Sequence, residues 1–160
     1  MRAYADTSFL LKLLAQEADS GLVIAAYRRL GLPPLFFLPL HALEVRNAIR
    51  QRAFFLRRSV AAPERQHVTR ERDTAFARLE HFIARRTFLD VTLDMDSALT
   101  RAGSLSQAHT ERLGVRAIDV LHVASALTLE SELFLTADAR QVQLAKAEGL
   151  KVVSIKSRTL

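Results

Sequence analysis

Short unbroken apolar runs alternate along this chain with longer segments in which apolar residues recur every three or four positions. The first kind suits a strand buried on both faces, the second an amphipathic helix. Residues 2–5 read as a strand, and Asp6-Thr7-Ser8 then offers capping side chains to a helix begun by Phe-Leu-Leu-Lys-Leu-Leu. A second helix covers about 20–30 and is stopped by Gly31 and Pro33-Pro34. Strand 35–38 follows, then a helix from about His41 with Leu43, Ala48 and Ile49 among its apolar positions. A break is expected at 59–63, around Pro63. Beyond it a long helix covers 64–86, with Phe76, Leu79, Phe82 and Ile83 at helical spacing. Residues 88–91 read as a strand, and Asp94 or Asp96 opens a helix reaching about His109. Residues 117–129 form a helix apolar almost all round, 133–136 a strand, 139–148 a helix ended by Gly149, and 152–155 a last strand.

Strands that are unbroken apolar runs, each separated from the next by helix, imply an α/β fold with a parallel sheet covered on both faces. No repeat, low-complexity tract or linker interrupts the pattern, so residues 1–160 are expected to form a single domain. Nearly half of the 160 residues are apolar, enough for a substantial core.

Composition narrows the chemistry. There is no Cys, which excludes disulfides, thiol nucleophiles and thiolate metal sites. Asp6 interrupts the apolar stretch that a secretory signal would need, and the apolar run 35–40 is too short to span a bilayer. The expectation is a cytoplasmic protein with no membrane contact. The net charge of +6 is unevenly spread: from Arg46 to Arg86 there are eleven Arg and no Lys against four acids, a local +7, and the remainder carries −1. A localised field of this sign attracts polyanions, and Arg matches phosphate geometry. It is equally what a solvated helix face looks like. Arg46, Arg50, Arg57 and Arg58 are the candidate contacts to a nucleic-acid backbone.

In open α/β sheets ligands bind beyond the carboxyl ends of the strands. Asp6 directly follows the first strand and Asp138 the run Leu-Phe-Leu-Thr; Glu44 lies one turn into the helix after the second strand. Asp119 opens the most apolar helix, flanked by Ile118, Val120 and Leu121. Each acid has a plain structural explanation. Asp6 and Asp138 serve as N-caps, Glu44 as a first-turn acid, and Asp119 as the partner of Arg116. Against that stands the shared placement of three of them after strand ends, and the apolar flanks of Asp119. Carboxylates gathered at one end of a sheet repel one another, and a divalent cation relieves the repulsion. Oxygen-only ligands suit Mg²⁺ or Mn²⁺.

Four segments, YADTSFLLKLL, LHALEVRNAIR, RAIDVLHVASAL and LFLTADARQVQLAKAEGLKVV, together resemble the PIN-domain family, and within it the VapC-type toxins of prokaryotic toxin–antitoxin pairs. The resemblance implies a PIN-like three-layer sandwich of about five parallel strands flanked by helices. It implies that Asp6, Glu44, Asp119 and Asp138 are the acidic metal-binding set, of which Asp6 and Asp119 are read as the direct or near-direct ligands of Mg²⁺ or Mn²⁺. It implies support from Thr7, Ser8, Asn47 and Thr136, endonucleolytic cleavage of RNA, a homodimer, and a cognate antitoxin. His122, one turn after Asp119, departs from the pattern. It reads as a core residue or as a partner of the metal site or of Asp119, and His41, one turn before Glu44, is read in the same way. Residues 57–72 match no motif and read as a clip over substrate, a dimer contact or a solvated helix.

The rival function is a non-catalytic RNA- or protein-binding module on the same fold, its acids acting as caps and ion pairs. A receiver domain would need paired acids after the first strand, and a phosphatase of the Asp-x-Asp kind would need an acid where Ser8 stands.

Overall fold

The computed structural model describes residues 1–154. Five strands form one parallel sheet: β1 (Ala3–Ala5), β2 (Leu35–Phe37), β3 (Phe88–Asp90), β4 (Leu133–Thr136) and β5 (Lys151–Ser154). Their order across the sheet is β3-β2-β1-β4-β5. Ala3 sits level with Leu35 on one side and with Leu133 on the other, so β1 is the central strand. The helices are α1 (Thr7–Leu14), α2 (Ser20–Arg29), α3 (Pro39–Ser59), α4 (Arg65–Ala84), α5 (Met95–Leu113), α6 (Ala117–Thr128) and α7 (Ala139–Ala147).

Side chains alternate across a strand, and that alternation divides the core. Ala3, Ala5, Leu35, Phe37, Leu133 and Leu135 face α1 to α4, meeting Phe9, Leu10, Val45, Ile49 and Leu79. Tyr4, Phe36, Phe134 and Val152 face α5 to α7, meeting Leu105, Val120, Val123, Ala124 and Leu144. The chain runs outward from β1 through β2 to β3, then crosses back to β4 and β5. Right-handed crossovers put the helices of the two directions on opposite faces, which gives the three layers. The reversal opens a crevice between β1 and β4 at their carboxyl ends, the usual ligand position in such sheets.

The expected elements are present, with shifted limits. The third helix begins at Pro39 rather than near His41, because Pro in the first turn has no N–H to leave unpaired. Leu43 is 70% exposed and not a core position of that helix. The helix opened by the cap Asp94 runs to Leu113, past His109, and ends at Gly114 with φ +62. The last strand begins at Lys151; the expectation for Ile155 lies outside the described residues. Residues 57–72 complete a helical hairpin, in which a 3-10 turn at Ala62–Glu64 joins α3 to α4. Among the described residues no helix is long and apolar enough to cross a membrane.

Candidate functional site

Asp6 leaves β1 at the crevice and caps α1, accepting 3.0 Å from the Phe9 N–H. It is fully buried. The Ser8 hydroxyl lies 2.8 Å from both of its carboxylate oxygens, and Thr136 donates to Oδ2 at 2.7 Å. Burial pushes the Asp6 carboxyl up, opposed by the nearby His122 ring and by these hydrogen bonds. Ser8 and Thr136 are themselves held by β4's exit: Ala137 N–H donates to Ser8 at 3.1 Å and Asp138 N–H to Thr136 at 2.9 Å.

Asp119 enters from the other side, in the first turn of α6, and is 1% exposed. Arg116 surrounds it with three donors, the backbone N–H at 3.1 Å, Nε at 3.0 Å and Nη2 at 3.1 Å. The two buried acids, 113 positions apart in the chain, meet at one atom. The Gln141 amide nitrogen lies 2.8 Å from Asp6 Oδ2 and 3.2 Å from Asp119 Oδ1. The pattern of the sequence did not single out Gln141. Its signal was a polar residue on the buried face of α7, one turn before Leu144 and Ala145.

Glu44 stands in a separate unit. Its Oε2 accepts from Thr7 at 2.9 Å and lies 2.7 Å from His122 Nε2. His122 Nδ1 in turn lies 2.8 Å from the Tyr4 hydroxyl, a residue the sequence did not mark. The His122 ring stacks on His41 at 5.3 Å, and His41 on Phe37 at 5.8 Å. His41 Nδ1 takes the Leu38 N–H at 3.0 Å, and burial, then the neighbouring His122, holds its pKa well below the ordinary range. His41 is thus a core residue, whereas His122 reaches Glu44 rather than Asp119. Asp138 caps α7, accepting from the N–H of Arg140 at 2.7 Å and of Gln141 at 3.3 Å. Asn47 is exposed and makes no side-chain hydrogen bond among the described residues.

The arginines lie elsewhere. Arg46 pairs with Glu80 at 2.9 Å, Arg50 covers Phe76 at 5.1 Å, Arg57 donates to Thr69 at 2.9 Å, and Arg58 covers Phe54 at 5.3 Å. A cleft between α3 and α4 is lined by Arg50, Arg57, Arg72, Asp73 and Phe76. At about 1.5 Å per residue, Arg57 lies roughly 20 Å along α3 from Glu44.

No three His, Asp or Glu side chains among the described residues are grouped closely enough to form an ion cage. The donor set fits a hydrated cation nonetheless. Mg²⁺ commonly takes one or two carboxylates and keeps waters elsewhere, and two carboxylate oxygens converge on the single Gln141 nitrogen. The amide oxygen of Gln141 is buried without a hydrogen-bond partner beside them.

A family model described as the PIN domain matches residues 3–147. The crystal structure of FitAcB from Neisseria gonorrhoeae is similar in fold, with a TM-score of 0.60 at 16% sequence identity, covering 94% of this chain and 95% of that one. No curated protein matches the chain.

Proposed function

Because the chain belongs to the PIN domain family, we propose that it is a divalent-metal-dependent endoribonuclease, the toxin of a type II toxin–antitoxin pair of the VapC kind. PIN domains are generally nucleases and typically depend on a divalent cation. The observation that carries the reading is the convergence of Asp6 and Asp119, both buried and from opposite layers, on one point at the crevice between β1 and β4. An N-cap acid and a first-turn acid of a different helix have no structural reason to share a donor.

Asp6 and Asp119 would hold the ion. Mg²⁺ or Mn²⁺, when bound, lowers the pKa of a coordinated water and offsets the charge that develops on the phosphate. Ser8 and Thr136 fix the orientation of the Asp6 carboxylate. Glu44 is held through Oε2 alone, and its other oxygen takes no hydrogen bond among the described residues. That oxygen is the acceptor available to orient an attacking water. Asp138 keeps the turn after β4 closed and adds negative charge at its edge. Arginines of the α3–α4 hairpin would hold more distant backbone phosphates. Hydrolysis by water leaves a 5′-phosphate and a 3′-hydroxyl. A second copy of the chain, a small antitoxin and a cytoplasmic setting complete the proposal, on the strength of the VapC resemblance.

The test is cleavage of end-labelled total RNA by the purified chain with Mg²⁺, with Mn²⁺ and with EDTA, beside Asp6→Asn and Asp119→Asn. Metal-dependent cleavage by the parent alone, leaving 5′-phosphate ends, is expected. Cleavage that survives EDTA and both substitutions would overturn the reading. Tight, salt-sensitive RNA binding without cleavage, in protein shown free of a bound inhibitor, would favour the non-catalytic module.

A further inference from the structure

Gln141 is a polar residue on a buried helix face. It sits on the face of α7 that carries Leu144 and Ala145, and it is only 3% exposed. Its amide is half satisfied. The nitrogen joins Asp6 Oδ2 and Asp119 Oδ1, while Oε1 is buried with no partner. An unpaired buried acceptor is a cost without return if the residue only ties two acids together.

The two ends of a carboxamide have nearly the same shape, and the last torsion of Gln is broad and roughly two-fold. A half-turn about it exchanges oxygen for nitrogen without moving the rest of the chain. With carboxylates alone as neighbours, the N–H groups must face them. With a cation between those carboxylates the preference reverses, because the nitrogen is repelled and the oxygen attracted.

We propose that Gln141 is a further member of the metal centre, presenting its amide nitrogen to Asp6 and Asp119 in the metal-free protein and its amide oxygen to the cation. The proposal rests on the metal-dependent reading above and adds a residue to it. Gln141 bridges the acids until the ion arrives and then supplies a neutral oxygen ligand, which leaves the charge of the pair to balance the ion. The orphaned Oε1 gains the cation, and the ion's attraction for that oxygen offsets the loss of the nitrogen's two carboxylate partners.

Nuclear magnetic resonance of the ¹⁵N,¹³C-labelled full chain tests this during Mg²⁺ titration, beside calorimetry of the same protein. The Gln141 carboxamide is assigned as the signal missing from Gln141→Leu and from Gln141→Glu. Its NH₂ and Cδ resonances are expected to shift and to saturate along the calorimetric isotherm. Gln141→Leu is expected to bind Mn²⁺ about tenfold or more weakly, the scale on which lost partners of a metal site are felt. Gln141→Glu, which keeps an oxygen, is expected to bind it at least as tightly as the parent. Undiminished Mn²⁺ binding by Gln141→Leu, or Mg²⁺ uptake that leaves the Gln141 signals in place, would reduce Gln141 to a structural tie while the metal site stands. No uptake of either ion by the parent would remove the metal reading and this proposal together. Should the Leu variant fail to fold, the titration of the parent and the Glu variant decide.

Discussion

At the carboxyl edge of β1 and β4, Asp6 and Asp119 are held by donors drawn from α1, β4, α7 and the turn before α6. Along the α3–α4 hairpin, Arg46, Arg50, Arg57 and Arg58 find partners within one pair of packed helices. The first arrangement exists only when the whole sheet does. The second is local and largely at the surface, where each contact contributes little. The difference teaches how to read charge. Residues 46–86 hold the entire excess positive charge of the chain, yet these four arginines pair with neither Asp6 nor Asp119. The acids, inconspicuous in composition, form the organised centre. Net charge describes the field a polyanion meets on approach, and burial with shared donors marks where chemistry is arranged.

That contrast can be broken by exchange of effects. Asp119→Asn is expected to reduce RNA cleavage by about a hundredfold or more, given that even an outer partner of a metal carries 10–100-fold. Arg57→Ala with Arg58→Ala is expected instead to raise KM, to flatten the salt dependence of RNA binding, and to leave kcat close to the parent. Single-turnover and steady-state cleavage of one defined RNA measure both; a larger fall in kcat for the arginine pair would invert the comparison.

Stability gives a second separation. Tyr4→Phe removes the hydroxyl that meets His122 Nδ1 in the core, and urea unfolding is expected to show a loss of about 1–3 kcal/mol. His41 adds a pH dependence. Its folded-state pKa is depressed below the ordinary 6.5 by burial, so its contribution is fully present above that value and is lost as pH falls below it. The Tm of the metal-free protein is expected to decline between about pH 7 and 5. His41→Gln is expected to show a shallower decline, and an unchanged slope would assign the effect to other groups. The smallest effect is expected at the exposed Arg46–Glu80 pair. A double-mutant cycle should return a coupling of about 1 kcal/mol or less that salt reduces further; twice that would mean the hairpin is more than a solvated support.

The layers of the fold were legible because their causes are local. Leu35 to Phe37 and Leu133 to Leu135 are unbroken apolar runs, and Asp94, one of two acids offered as the start of its helix, caps it. Limits shifted where one local rule outweighed another, as when Pro39 started a helix before its apolar period became clear. Asp6, Glu44 and Asp138 could be singled out because they follow strand ends, and Asp119 because it stands in the most apolar helix. What stayed hidden was the wiring between them. The Tyr4 hydroxyl reaches His122 across 118 positions and Gln141 reaches Asp6 across 135, and no window of sequence contains both partners. Leu43 failed for a local reason: it is apolar but out of helical phase with Ile49, and His41, Val45 and Ile49, four positions apart, form the buried face.

The central strand has a further consequence for the timing of synthesis. β1 is made before every other strand of the sheet, yet it pairs with β4, and the Asp6 N–H bonds to the Leu135 carbonyl at 3.0 Å. A nascent chain that ends before β4 holds Asp6, Glu44 and Asp119 without the strand and the amide that draw the first and last of them together. A site built this way takes shape only after β4 and α7 have been made, long after the first of its acids.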